Sequence, residues 1–286
     1  MKKRGSKKRG STILLYVVLL AGLSLVCYPK LSDWWNSLHQ SYAIMNYTDA
    51  VTNLSNEEYE RILSNASDYN ERRKQQGGYK LSEAQRADYI SQLDPGGDGI
   101  MCTIDIPSIN CTLPVYHGTD EAVLQKAVGH LEWTSLPVGG EGTHAVFSGH
   151  RGLPSARLLT DIADMVEGDI FRINVLDETL TYEVDQIRIV LPKELEELLP
   201  EPGKDLCTLV TCTPYGINTH RLLVRGHRVP NDYLDDPGRV TADAVQLDSM
   251  LVALVVALPL LGIMLIVQLR SDRLRKRLLL EDEDEF

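Results

Sequence analysis

The chain has 286 residues, 43% of them hydrophobic and 24% charged, with five cysteines and a formal net charge of -11. That length and apolar share support one sizeable core or two small ones and exclude a disordered or collagen-like chain. The mean hydropathy of -0.15 averages over unlike parts, because two apolar runs near the ends flank a polar middle.

Ser11 to Cys27 is a run of seventeen residues without a charge, and Met250 to Leu269 is a run of twenty. Both approach the ~20 residues with which an α-helix crosses ~30 Å of hydrocarbon. Lys2, Lys3, Arg4, Lys7, Lys8 and Arg9 precede the first, and Arg270, Arg273, Arg275, Lys276 and Arg277 follow the second, which predicts cytoplasmic ends and an exported middle. The alternative for the first run is a cleaved signal peptide. No A-x-A-like site follows it, and Leu25 and Val26 before Cys27 are not the small residues of a lipoprotein site. Pro259 in the second run is compatible with a membrane helix whose neighbours satisfy the freed carbonyl.

The expected order is a basic cytoplasmic N-terminus at 1–10, a transmembrane anchor at 11–28, a helical appendage or lid region at 34–93 and a catalytic domain at 94–230. A linker at 231–249, a transmembrane helix at 250–269 and a cytoplasmic charged tail at 270–286 follow. Eleven of the 29 basic residues lie in the two flanks, so the exported part is strongly acidic. It carries no basic stripe of the kind that binds phosphate, which argues against nucleic acid as a partner.

Within the appendage, Leu54, Tyr59, Ile62, Leu63 and Ala66 recur at helical spacing, and Ser55-x-x-Glu58 forms a capping-box pattern. Arg72 to Gly78 reads as a break before a short amphipathic piece ending near Tyr89. The segment is expected to be an appendage rather than part of a core. Beyond Pro95-Gly96-Gly97 the texture changes to short β-branched runs between Gly, Pro and Asp, the pattern of a mainly β barrel or sandwich. Strands are predicted at 101–106, 113–116, 144–148, 170–175, 180–190, 206–211 and 221–229, with helical patches at 121–127, 158–165 and 194–198.

Four of the five cysteines fall in the exported part. Cys102 and Cys111 could bridge a hairpin, although spacing alone fixes no Cα separation. Cys207 and Cys212 share one strand at an odd separation, which puts their side chains on opposite faces. A zinc site at Cys212 with His220 or His227 matches no zinc spacing. Cys212 ends a buried strand before the turn Thr213-Pro214-Tyr215-Gly216, a position suited to reaction rather than packing. A thiol needs a nearby cation or base to become thiolate. His150, where Gly149 ends a predicted strand, is either that base or an ordinary surface histidine. Arg221 begins the next strand; if the two strands are antiparallel neighbours it lies beside the thiol, where a guanidinium can stabilise an oxyanion. Otherwise it is a surface arginine.

Thr211 to Gly226 (TCTPYGINTHRLLVRG) together with Phe147 to Pro154 (FSGHRGLP) resembles the class C, pilin-polymerising sortases. The likeness extends through Asp98 to Met101, Ile104 to Ile109, Leu113 to Thr119 and Thr134 to Gly140, covering about residues 95–230. It implies a closed β-barrel of the sortase type with short helices, the helical appendage and a transmembrane helix at each end. It also implies a cysteine transpeptidase in which Cys212 attacks the Thr–Gly bond of an LPXTG-like sorting signal, giving a thioester. A lysine amine of another pilin subunit then resolves it into an isopeptide-linked fibre. His150 carries over as general acid and base, and Arg221 as the holder of the substrate carbonyl. The alternatives are a sortase that attaches surface proteins to peptidoglycan, and an inactive scaffold that keeps the barrel.

Many class C sortases carry an Asp-Pro-aromatic lid motif in the appendage. Here the equivalent stretch, Gln75 to Lys80, lacks it, and Asp94-Pro95 is followed by glycine. Tyr79 is the lid candidate, shielding the site weakly if a lid exists at all. No cofactor is expected: there is no P-loop and no GxGxxG, and Asp94 with Asp98 lacks the other acidic positions of a calcium loop. The expected partners are the membrane, sorting-signal proteins and a lysine acceptor.

Overall fold

The computed structural model describes residues 4–231, with side chains from residue 16, together with positions 262 and 270. The chain divides into two units, Met1–Arg239 and Val240–Phe286. The first carries every element named below. The second apolar run and the acidic tail lie outside the described residues except at 262 and 270, and so does the linker beyond residue 231.

The N-terminal apolar run and the start of the appendage form one helix, α1 (Arg4–Thr52), of 49 residues with Pro29 inside it. The expected anchor at 11–28 and the start of the expected appendage at 34 thus share one helix. Proline removes one hydrogen bond and strains one turn, but no glycine or second proline follows it before Thr52, so the helix continues. Ser55 caps α2 (Asn56–Gln76) through the capping box foreseen with Glu58. Gly77 and Gly78, both at positive φ, end it. A second capping box, Ser82 with Gln85, starts α3 (Glu83–Ile90).

These helices contribute to the interior, which corrects the expectation that the segment takes no part in a core. Ala66, Tyr69, Tyr89 and Leu93 are buried in the same cluster as the barrel interior. Three polar anchors, invisible to periodicity, hold them there. Tyr47 Oη donates to Met101 O (3.1 Å) and accepts from Leu176 N (2.7 Å). Asn70 bonds Leu136 at both its backbone oxygen (3.0 Å) and its nitrogen (2.7 Å). Tyr89 Oη accepts from Gly118 N (2.9 Å) and lies 3.0 Å from His130 Nδ1.

Eight strands follow: β1 (Ile100–Ile106), β2 (Cys111–His117), β3 (Val128–His130), β4 (Thr143–Ser148), β5 (Ile170–Val175), β6 (Glu178–Val190), β7 (Asp205–Thr213) and β8 (His220–Val229). They close in the order β1-β2-β3-β4-β7-β8-β6-β5. Seven were foreseen. β3 was not, because three residues around Gly129 give no alternation. The helical patch predicted at 121–127 is a single turn, α4 (Glu121–Leu124), and the other two patches contain 3-10 turns at Thr160–Asp164 and Glu196–Leu198.

Alternation along the strands sorts the side chains. Phe147, Cys207, Leu209, Leu222 and Val224 join the interior cluster. Val146, Val190, Val210 and Leu223, one step out of phase, form a second cluster on the outer face with Leu131, Trp133 and Leu195. Gly226 lies inward against Phe171, where a Cβ would stand 2.7 Å from a ring carbon.

Two histidines are buried in this frame. His130 Nε2 donates to Ser135 O (2.8 Å), and His144 bonds Leu199 O (3.0 Å) and Thr208 Oγ1 (2.7 Å). Burial pushes His130 down to about 3 and His144 down to about 4. Both stay neutral in the fold while the unfolded chain binds protons below ~6.5. Stability is therefore full above pH ~6.5 and falls on acidification, by about 1.4 kcal/mol per pH unit for each histidine until its folded pKa is reached. Urea unfolding from pH 7 to pH 5 should show this loss, and a folded His144→Asn variant should lose about one proton's share of the slope. An unchanged slope would contradict the assignment.

Candidate active site

β7 lies between a parallel neighbour, β4, and an antiparallel one, β8. Along it Cys207 and Cys212 point to opposite faces, as their spacing requires: Cys207 is fully buried in the interior, while Cys212 is partly exposed on the outer face. In the β7–β8 ladder Cys212 stands directly opposite Arg221. The two strands are thus the antiparallel neighbours that the sequence reading required.

On the other side the β4–β7 register ends with Ser148 opposite Val210. The chain keeps to β7 beyond that point: Gly149 N donates to Val210 O (3.1 Å), and Thr211 Oγ1 donates to Gly149 O (2.7 Å). Continuing the parallel register by two residues sets His150 level with Cys212. His150, two residues beyond the end of β4, thus follows on beside the Cys212–Arg221 pair of β7 and β8, in a row that runs from the end of one strand across two others about 4.8 Å apart. Glycine at 149 is needed for this approach, since a Cβ there would lie 2.8 Å from Leu159 Cγ.

The flanks of the row are tied down. Arg221 Nη1 donates to His220 O (3.0 Å) and Asn218 O (3.3 Å), which leaves Nε and Nη2 uncommitted among the described residues. Arg151 Nη1 donates to Thr213 Oγ1 (3.1 Å), fastening the loop after His150 to the end of β7. His150 Nε2 is shielded from solvent, makes no hydrogen bond among the described residues and lies 3.8 Å from Glu121 Oε1. Sequence reasoning placed α4 but gave no signal for Glu121 beside His150 or for Arg151 on Thr213. Both contacts depend on how separate loops meet.

The other cysteines fall away from this row. Cys102 pairs with Val115 and Cys111 with Ile106, four steps apart along the hairpin, so the bridge between them is not formed. All five cysteines are free thiols. Burial pushes the thiols of Cys102 and Cys207 well above the usual range and that of Cys111 up to about 12. His220 sits opposite Thr213, next to the row, but His227 sits opposite Leu206, six residues from Cys212.

Tyr79 meets the edge of Trp133, with ring centroids 5.1 Å apart, and is 43% exposed. Trp133 belongs to the outer cluster that contains Val146 of β4, four residues before His150 in the chain. A cleft of about 480 Å³ lined by Asp185, Gly203, Lys204, Asp205, His227 and Arg228 opens at the start of β7, seven residues from Cys212, and shares no residue with the row.

A family profile described as the sortase domain matches residues 104–229, from within β1 to the end of β8. The chain is 31% identical over 129 residues to sortase D of Bacillus subtilis and 30% identical over 126 residues to sortase A of Bacillus anthracis. It spans only 62% and 58% of those relatives' lengths, using 44% of its own in each case. Among solved structures, sortase C1 of Streptococcus agalactiae is 53% identical with a TM-score of 0.65, the match covering 67% of this chain and all of that one. Sortase C of Clostridium perfringens, solved with the C-terminal cell wall sorting motif, is 42% identical with a TM-score of 0.59, covering 66% of this chain and 99% of that one. The barrel, its strand order and these likenesses make the chain a member of the sortase family, similar at this level to class C sortases and also to some called sortase A.

Proposed function

We propose that the chain is a class C sortase: a cysteine transpeptidase that cleaves an LPXTG-like sorting signal between Thr and Gly and joins the new acyl end to a pilin lysine. The observation that carries this reading is the pairing of Cys212 with Arg221 across β7 and β8, with His150 following the end of β4 on the other side of β7. Cys212 Sγ attacks the threonine carbonyl carbon, and the uncommitted guanidinium nitrogens of Arg221 donate to the oxygen as it gains charge. The C–N bond to glycine breaks, and His150 gives its proton to the leaving amine. In the second half, a lysine amine attacks the thioester carbon, His150 takes the proton, and Cys212 leaves as thiolate. Two relatives support the substrate class: the Clostridium perfringens sortase C, solved with a sorting motif, and a Streptococcus pneumoniae sortase C, 40% identical, whose structure bears on pilin substrate specificity.

The same reading takes α1 as an uncleaved anchor, supported by its unbroken course from the apolar run into contacts with the barrel. The run at 250–269 would be a second span, with the barrel outside the cell and both termini inside.

To test the acceptor, the full chain in detergent is incubated with an LPXTG peptide and with either a lysine-bearing pilin domain or a peptidoglycan cross-bridge amine. An isopeptide product with the pilin domain is expected. Product from the cross-bridge amine alone would establish wall attachment instead, and hydrolysed peptide alone would leave neither acceptor supported.

Two variants separate the site from its surroundings. Cys207→Ala removes an interior thiol on the opposite face and should keep turnover within about twofold, at a stability cost of ~1 kcal/mol for the lost packing; loss of activity in a folded Cys207 variant would overturn the single-nucleophile assignment. Tyr79→Ala removes the ring over Trp133 and should speed labelling of Cys212 by a thiol reagent by no more than about threefold, consistent with an edge contact worth ~1 kcal/mol. An increase of tenfold or more would make Tyr79 a true lid.

A further inference from the structure

We infer that Tyr28, Leu31, Trp34 and Trp35 on α1 form a collar that seats on the lipid bilayer surface, holding the loop after His150 at the level of the lipid headgroups. The inference rests on the reading of α1 as an uncleaved anchor.

The four side chains are 55%, 63%, 59% and 59% exposed. At about 100° per residue they fall in one sector of the helix roughly 120° wide. Asp33, Asn36, Gln40 and Tyr47, which bind the barrel side, fall in a narrower sector almost opposite. An outward face of a helix in water should be polar. Single exposed apolar residues are ordinary, but two tryptophans, a tyrosine and a leucine within eight positions form a continuous apolar face, which Leu38, Tyr42 and Met45 extend by up to about three turns away from the apolar run.

Their level along the helix identifies the partner. The run Ser11–Cys27 supplies seventeen residues, about 26 Å at 1.5 Å each, so the edge of ~30 Å of hydrocarbon falls a few ångströms beyond Cys27. Tyr28 to Trp35 then occupy the next ~10 Å, the polar layer where tryptophan and tyrosine are enriched. The helix continues through this level without a break, and none of its most apolar window is buried by protein.

The same turns of α1 hold the site loop. Asp33 Oδ1 accepts from Arg157 N (2.7 Å), Asn36 Nδ2 donates to Ser155 O (2.6 Å), and Gln40 Nε2 donates to Lys126 O (2.9 Å). Residues 151–157 follow His150 directly, and Arg151 ties that loop to Thr213 beside Cys212. The row is therefore held close to the bilayer surface.

The chain has three tryptophans, which makes the collar directly measurable. Trp133→Phe leaves Trp34 and Trp35 as the fluorophores, and the full chain is reconstituted in vesicles of phosphatidylcholine and phosphatidylglycerol. Lipids brominated high on the acyl chain should remove about half of the emission, and lipids brominated near the terminal methyl much less, as for side chains at the interface. In the converse variant, with Trp34→Phe and Trp35→Phe, the emission of Trp133 should be unquenched by either lipid. Red-shifted emission from Trp34 and Trp35 without lipid quenching would show a wet face and overturn the collar. Blue-shifted emission without lipid quenching would show that protein, such as a second copy of this chain, covers the face, and would equally overturn it. The measurement needs no turnover, so a failure of the catalytic reading leaves it intact and a failure here leaves the catalytic reading intact.

Discussion

Cys212→Ala gives a folded barrel that forms no acyl-enzyme, and Arg221→Ala keeps the thiol but lowers the rate of acylation by about 10²–10³-fold, the usual loss when one oxyanion donor is removed. The expectation follows from the ladder. Arg221 is the residue directly opposite Cys212, and two backbone carbonyls restrain its guanidinium from Nη1, so its other nitrogens need little reorganisation to meet the substrate oxygen. Arg221→Lys should recover little of the loss, because a single ammonium cannot bond the turn carbonyls and the substrate in the same planar fork. Pre-steady-state acylation with an LPXTG peptide measures the effect. Full activity in Arg221→Lys would show that charge alone suffices, and full activity in Arg221→Ala would remove Arg221 from the mechanism.

Gly129→Ala should unfold the domain or destabilise it by at least about 3 kcal/mol, above the ordinary 1–3 kcal/mol of overpacking. A Cβ at 129 would lie 2.1 Å from Gly118 O and 3.2 Å from Gly118 C. Both atoms are backbone, so no rotamer change relieves the contact. β3 is the three-residue link through which β2 reaches β4, and the neighbouring Gly118 N and His130 both bond Tyr89. Moving Gly118 would therefore loosen α3 as well as the barrel seam. For a domain with only 5–15 kcal/mol of stability the loss is severe. Gly96→Ala is the control: its nearest Cβ neighbour is Asp98 Oδ1 at 3.4 Å, and it should cost less than about 1 kcal/mol. Equal urea midpoints for the two variants would contradict the packing at Gly129.

Strands bounded by turn residues were legible from sequence because short β-branched runs between Gly, Pro and Asp are a local property. Their observed limits differ from the predicted ones by at most two residues at either end. β3 has too few residues to alternate. The continuity of α1 past Pro29 was not legible, because it depends only on whether the turns on either side of the proline hold. The polar anchors at Tyr47, Asn70 and Tyr89 bond backbone atoms between 29 and 129 residues away, and no spacing rule reports such partners.

The site was legible in a different measure. The odd separation of Cys207 and Cys212 sorted the two thiols by face, and the turn after Thr213 brought Arg221 back to Cys212. His150 needed the parallel register of β4 with β7, a pairing of strands 57 or more residues apart that local pattern does not specify. Glu121 beside His150 and the engagement of α1 with residues 155–157 belong to the same class of long-range contact.

Whether Cys212 is the acylated nucleophile is decided by peptide mapping of the full chain by mass spectrometry, after brief incubation with an LPXTG peptide and no acceptor amine. The expected result is an adduct equal to the peptide truncated after threonine, carried on Cys212, removed by a small amine and absent from Cys212→Ala. An adduct on another residue, or none from a folded chain, would contradict the assignment.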